Sequence, residues 1–357
     1  MIHKSTIILL CFFGVLGTTQ AQDDAFISKL DSLGTLDDST KSLMAYNAGV
    51  DFMNSQKYTE AVAQFDSSLS FNAEFSDAMF SRGMCHVKLG SDEKAIGDFR
   101  KNLTINPKND RSYYEIGLIY VKVNKLEEAQ AEFSSAIQFN GKVAKYYYNR
   151  GVIYFQNNQL DKAKSDYDKA ISNDPNYAYA LNDRGSIHLK NGDYKKAIAD
   201  YEGAVKINAK DAFIFNNLGT AYRKNGDFKK AISAYDKAIE IDVKYTLAYN
   251  NRGMALFSSE KFDLAIADFT TAIALDAKYA FAYNNRASVY IKQEIWDQAE
   301  KDCTKAITLN PEYAYAYYNR AIAKEMLRQL DGACADWQKS SELGLEAGNT
   351  YYKSTCK

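Results

Sequence analysis

Residues 147–175 read YYNRGVIYFQNNQLDKAKSDYDKAISNDP. Tyr147, Gly151 and Tyr154 recur at helical spacing, and after a polar turn Ala163, Tyr167 and Ala170 do so again. Two short amphipathic helices account for this spacing, and Pro175 stops the second because it lacks a donor and clashes with the preceding turn. The pattern returns every 34 residues: Gly49, Gly83, Gly117, Gly151, Gly185, Gly219 and Gly253 are evenly spaced, and Ala287 and Ala321 continue the series. The second helix opens on Ala in all nine units, at Ala61, Ala95, Ala129, Ala163, Ala197, Ala231, Ala265, Ala299 and Ala333. Four residues later an aromatic follows in eight of the nine, with Cys303 the exception.

This unit resembles the tetratricopeptide repeat (TPR), which has the same 34-residue period and the same small and aromatic positions. The units start near residues 42, 76, 110, 144, 178, 212, 246, 280 and 314, and run to 345. The resemblance implies an all-α fold, a right-handed superhelical solenoid of stacked helix-turn-helix repeats. A solenoid end needs a cap. Residues 22–41 are therefore expected as an N-terminal cap and linker, with Phe26, Leu30 and Leu33 on a short helix over Ala25–Leu33. Residues 346–357 read as a C-terminal solvating helix carrying Tyr351 and Tyr352. The only prolines, Pro107, Pro175 and Pro311, share one slot between repeats. Ala73, Gly141, Ala209, Val243, Ala277 and Leu345 hold it elsewhere, so helix termination there is expected to rest on tertiary packing. Within repeats, Asn191-Gly192-Asp193 and Asn225-Gly226-Asp227 offer glycine for a left-handed helix end.

The first residues are of another kind. Lys4, an apolar run over Ile7–Leu16 and the small-x-small step Thr19-Gln20-Ala21 read as a secretory signal peptide over residues 1–21. The alternative is an uncleaved anchor, for which the run falls short of the ~20 residues of a spanning helix. Export to a periplasmic or extracellular location follows as an expectation. A formal net charge of -1, with no long run of one sign, argues against nucleic acid as a partner. Membrane contact is expected only through a partner. Cys85 and Cys303 face repeat interiors, where a free thiol acts as a small hydrophobe. Cys334 lies ten residues before Gly344 and Cys356 twelve after it. An antiparallel turn at Leu343-Gly344-Leu345 would let their sulfurs meet in a disulfide; the alternative is two unrelated thiols.

Arg precedes the small residue in six units, at Arg82, Arg150, Arg184, Arg252, Arg286 and Arg320, and sixteen residues on the same six have Asp98, Asp166, Asp200, Asp268, Asp302 and Asp336. The other three have Gln64, Glu132 and Ala234. Charges that come and go together suggest ion pairs between the two helices of one repeat, as against basic groups held out for an acidic ligand.

His86 and His188 occupy the aromatic slot of the first helix and read as core. No catalytic constellation, metal-ligand spacing or phosphate loop is present in the repeat pattern, so no cofactor, no metal and no enzymatic activity are expected. Binding is the open chemistry. The first helices carry a second apolar line, Tyr179, Phe213, Leu247, Phe281 and Tyr315. Beside it run Asn216-Asn217, Asn250-Asn251 and Asn284-Asn285, extended by Asn149 and Asn319, with Ser186, Thr220, Met254 and Ser288 completing the stripe. The TPR resemblance places this face on the concave side, and the amides resemble the asparagine ladder of the O-GlcNAc transferase family, which grips peptide backbone. An Asn amide offers the acceptor and donors that match a peptide unit, and aromatic anchors are favoured at interfaces. The expected function is a non-catalytic scaffold or adaptor that binds an extended peptide or partner protein in this groove. The alternative is an architectural solenoid whose aromatic stripe is a surface for self-association.

Overall fold

A computed structural model describes residues 36–356 of the chain, and the expected signal peptide and N-terminal cap helix lie outside the described residues. The described residues contain helices and no strands. They form two compact units, divided between Lys142 and Val143. In the first, α1 (Asp38–Asn54) pairs with α2 (Tyr58–Phe71), α3 (Ser76–Lys88) with α4 (Asp92–Ile105), and α5 (Asp110–Lys122) with α6 (Leu126–Phe139). In the second, the pairs are α7 (Ala144–Gln156) with α8 (Leu160–Asn173), α9 (Ala178–Lys190) with α10 (Tyr194–Ile207), and α11 (Ala212–Lys224) with α12 (Phe228–Ile241). Then come α13 (Thr246–Ser258) with α14 (Phe262–Leu275), α15 (Ala280–Lys292) with α16 (Trp296–Leu309), and α17 (Ala314–Met326) with α18 (Leu330–Glu342). A single helix, α19 (Glu346–Thr355), follows.

Each pair closes on one contact. The ring four residues after the opening Ala of the second helix lies against the small residue of the first. At Gly49, Gly117 and Gly219 an added Cβ would sit 2.6 Å from the ring of Phe65, Phe133 or Tyr235. In the α15–α16 pair Ala287 already has its Cβ, and the facing side chain is Cys303, both fully buried. The departure at Cys303 thus makes room for the departure at Ala287.

The turn inside each repeat ends the first helix in the left-handed region. Gln56, Gly90, Asn124, Asn158, Gly192, Gly226, Glu260, Glu294 and Arg328 all have positive φ, between 56° and 88°. At the Gly192 turn, its N–H donates to Leu189 O at 3.1 Å and Asp193 N–H to His188 O at 2.9 Å. These are the two bonds of a Schellman cap. The geometry recurs where no glycine is available, so the packing of the second helix holds it.

Helix termination between repeats is local, contrary to the expectation of packing alone. One residue before the proline slot stands Asn72, Asn106, Asn140, Asp174, Asn208, Asp242, Asp276 or Asn310. Six of these side chains accept a bond from the backbone N–H two residues on, for example Asp174 Oδ1 from Asn176 at 2.9 Å and Asp242 Oδ1 from Lys244 at 2.9 Å. Such Asx turns compete with the helix for backbone partners, and they act with or without proline.

Candidate functional site

All the groove residues expected from the sequence fall in the second unit. Tyr179, Phe213, Leu247, Phe281 and Tyr315 occupy the second residue of α9, α11, α13, α15 and α17, and are 44–58% exposed. The next residue in each helix, Ala180, Ile214, Ala248, Ala282 or Ala316, is fully buried. Five large apolar side chains thus stand half in water at one position of five successive repeats. Ser186, Thr220 and Ser288 bond back to helix carbonyls at Asn182, Asn216 and Asn284.

The asparagines have a structural role that the sequence pattern did not reveal. Asn216, Asn250 and Asn284 are 4–6% exposed and belong to the interior. Each is the acceptor for the next repeat: Asn217 Nδ2 donates to Asn182 Oδ1 at 3.0 Å, Asn251 to Asn216 at 2.9 Å, Asn285 to Asn250 at 2.9 Å and Asn319 to Asn284 at 2.9 Å. The ladder therefore joins repeat to repeat. Its second members, Asn217, Asn251, Asn285 and Asn319, are half-buried. Asn149 donates to Lys145 O of its own helix at 2.8 Å. Tyr148 and Asp183 hold the corresponding positions one step earlier, and their side chains also hydrogen-bond; burial raises the Asp183 carboxyl above its ordinary range.

The six arginines are engaged. Arg150 Nε and Nη2 donate to Asp166 at 2.8 Å each, and Arg82, Arg184, Arg252, Arg286 and Arg320 make the same fork to Asp98, Asp200, Asp268, Asp302 and Asp336. The fork is bidentate, the strong form of the pair, and each Asp side chain is 6–11% exposed. Hydrogen bonds to these carboxylates hold the Arg82, Arg184 and Arg252 guanidinium groups well above their ordinary value.

Most of these arginines have a second contact that the sequence pairing did not reveal. Nη1 of Arg82, Arg184 and Arg252 reaches back to Asp66, Asp168 and Asp236 in the preceding repeat, at 2.5, 2.8 and 2.6 Å. Arg286 and Arg320 reach Thr270 and Thr304. Where the arginine is missing, other groups make the tie: Arg100 pairs with Glu132, and the Tyr222 hydroxyl donates to Glu202. The side chains are spent on holding repeats together, which leaves them poor candidates for gripping an acidic ligand.

Cys334 and Cys356 are joined in a disulfide, which ties α19 to α18 beside Trp337. Cys85 and Cys303 are free and buried, and burial pushes the Cys85 thiol up to about 11. His86 and His188 are 9% and 8% exposed, and burial lowers both from their ordinary value against the opposing pull of Asp98 and Asp200. Among the described residues no group of three or more His, Cys, Asp or Glu could hold a metal ion.

One further set of residues was readable in the sequence and not singled out. Tyr177, Tyr245, Tyr279 and Tyr313 recur just before the first helices, half-buried beside the apolar row. Burial pushes the Tyr177 and Tyr313 hydroxyls up to about 12.

Tetratricopeptide repeat profiles match residues 144–177, 212–245, 246–279 and 280–313, and further profiles of the same repeat match 46–110, 110–142, 166–199, 185–226 and 303–335. The chain belongs to the tetratricopeptide repeat family. No curated protein gives a match. Among solved structures, it is similar to the Cut9–Hcn1 hetero-tetramer of the APC/C, at 15% identity and TM-score 0.57 over 88% of this chain and 76% of that one. It is also similar to the C-terminal part of a TPR protein from Cytophaga hutchinsonii, at 20% identity and TM-score 0.54 over 67% of this chain and 98% of that one. YrrB, a TPR protein with an unusual peptide-binding site, is 28% identical over 52% of this chain and 95% of that one, with a TM-score of 0.45. These likenesses are of fold. Family membership makes the chain, in general terms, a protein-interaction scaffold.

Proposed function

We propose that the apolar row on the first helices of the second unit lines a groove for an extended peptide segment of a protein partner. The chain then acts as a non-catalytic adaptor or assembly scaffold. One observation carries this reading: Tyr179, Phe213, Leu247, Phe281 and Tyr315 are each about half exposed, 44–58%, at the same position of successive repeats. An isolated exposed apolar residue means little, but a contiguous row is the mark of an interaction surface. The ladder amides add acceptors along the row. Each spends its N–H on the neighbouring repeat, and among the described residues no donor meets Oδ1 of Asn217, Asn285 or Asn319. A carbonyl oxygen of this kind suits a peptide N–H. We also propose that the protein works outside the cytoplasm. The Cys334–Cys356 disulfide supports this, since such bonds persist in oxidising compartments.

The test is selection from a library of extended peptides on the intact chain, repeated with Leu247→Ser, Phe281→Ser and Tyr315→Ser combined. These side chains are half in water, so the variant keeps its circular dichroism and its melting temperature within a few degrees. The expected result is peptides captured by the parent and lost by the variant. Equal capture by a folded variant overturns the groove. A parent that sediments as a dimer, beside a monomeric variant, makes the row a surface for self-association instead.

A further inference from the structure

Five loops lead into the first helices α9, α11, α13, α15 and α17. Four of them end in tyrosine, at Tyr177, Tyr245, Tyr279 and Tyr313; the fifth has Asp211. The tyrosines show what that position does. The Tyr313 ring lies 5.0 Å from Phe281, the row residue of the preceding repeat, and its hydroxyl accepts from Asn284 Nδ2 at 3.1 Å. The Tyr279 ring lies 5.7 Å from the same Phe281, here the row residue of its own repeat. Loop tyrosines therefore pack on the row from both sides, Tyr279 on the member of its own repeat and Tyr313 on the member of the repeat before.

At Asp211 those two members are Tyr179 and Phe213. Both line a cavity of about 570 Å³, together with Lys210, Ile241, Asp242 and Tyr245. The Asp211 carboxylate is drawn to its own backbone, where it accepts from Phe213 N–H at 3.0 Å. It puts no ring between Tyr179 and Phe213.

We propose that this cavity takes an aromatic side chain, phenylalanine or tyrosine, from the bound peptide, in the place that a loop tyrosine holds at the other three junctions of the row, before Leu247, Phe281 and Tyr315. The inference rests on the peptide-groove reading and narrows it to one anchor. The walls favour a ring: Tyr179, Phe213 and Tyr245 present aromatic faces and edges, which prefer offset or edge-on partners. The volume falls within the usual range for small-ligand sites. The carboxylates of Asp211 and Asp242 in the lining can accept the hydroxyl hydrogen of a tyrosine, which puts tyrosine ahead of phenylalanine. A buried aromatic anchor is the kind of contact that dominates interface energy.

The probe is N-acetyl-tyrosinamide, with N-acetyl-alaninamide as control, titrated by ligand-observed NMR into the intact chain. The parent is expected to bind the tyrosine unit and not the alanine unit. Asp211→Tyr supplies the missing ring from the chain itself. It is expected to weaken the tyrosine unit at least tenfold while the melting temperature holds or rises. Ile241→Trp fills the cavity from another lining residue and serves if Asp211→Tyr does not fold. Undiminished binding by a folded variant of either kind overturns the proposal, as does a parent that treats both units alike. The groove and the anchor fail separately. Peptides lost by the Leu247, Phe281 and Tyr315 variant but unaffected by Asp211→Tyr leave the groove and remove the anchor. Tyrosine-unit binding lost only in Asp211→Tyr, with no peptide selected by the parent, leaves a ring site without a groove.

Discussion

At the scale of single residues, the repeat is set by one small side chain against one ring. A Cβ at Gly219 would meet Tyr235 at 2.6 Å, with neighbouring ring atoms at 2.7 and 2.9 Å. Gly219→Ala is therefore expected to cost about 1–3 kcal/mol as overpacking, although alanine is the better helix former. Ala287→Gly removes a fully buried methyl packed among Ala299, Cys303 and Ala323, and should lose about 1–2 kcal/mol from helix propensity and lost burial together. Denaturant midpoints of the two variants check both values. The buried histidines give a pH prediction. His86 is faced by Asp98, Asp66, Arg82 and Lys94, and His188 by Asp193, Asp200, Lys164, Arg184 and Lys196. Burial holds both below their ordinary value of 6.5. An unfolded chain then binds protons that the folded one refuses. Their contribution to stability is complete above that value and is lost as pH falls through it toward the folded value. Melting temperatures at about pH 7.5 and about pH 5.5 should differ less in a His86→Tyr, His188→Tyr double variant than in the parent.

At the scale of elements, the turns and the last helix are the informative parts. Glu294 and Arg328 hold φ of 61° and 60°, a conformation that costs an ordinary L-residue roughly 1–2 kcal/mol relative to glycine. Glu294→Gly removes that strain at the price of a looser unfolded chain. The expected outcome is a neutral to stabilising change of up to about 1 kcal/mol. A fall in the melting temperature would show that the Glu294 side chain has a role of its own. Helix α19 depends on its staple. Tyr351 stacks on Trp337 at 5.5 Å, and Tyr352 and Cys356 pack on the same cluster. The disulfide closes a sequence separation of 22 residues, a loop for which chain entropy gives about 3 kcal/mol. Cys356→Ser should lose roughly 2–4 kcal/mol, and the loss should begin at α19. A red shift of Trp337 emission before the main unfolding transition would show it. One coincident transition would mean that α19 is held without the bond.

At the scale of the whole molecule, stability is a sum of neighbour contacts, as in any repeat stack. The second arginine contacts and the asparagine ladder belong to that sum, because both cross from one repeat to the next, whereas the forks hold the two helices of one repeat. Asp268 illustrates the stakes: its carboxylate takes two bonds from Arg252, at 2.8 and 2.7 Å, while Arg252 also holds Asp236 of the preceding repeat at 2.6 Å. Asp268→Ala leaves a half-buried guanidinium half-paired, and should cost between the ~1 kcal/mol of an exposed pair and the ~3–5 kcal/mol of a buried one. Hydrogen exchange should show the loss in α11 to α16 and spare α3 to α6. Uniform loss across both units would mean that the chain unfolds as one cooperative body.

The 34-residue period, read alone, was enough for the helices, their pairing and the small-against-aromatic contacts, because each depends on residues a turn or one hairpin apart. The pairing of Arg with Asp was legible for the same reason, sixteen residues apart in one repeat. The Asx turns between repeats are equally local, carried by the Asn or Asp one residue before the slot that proline holds in three repeats. What the tertiary structure alone decided lies across the junctions. Asn216 and Asn217 look alike in sequence, yet one is buried as an acceptor and the other donates across to Asn182. The second contacts of the arginines, 16 residues back in the preceding repeat, and the cavity beside Asp211 arise from side chains that meet when one repeat stacks on another. Period aligns such positions, but only the rotation and distance between stacked helices determine which groups reach each other and which are left facing water.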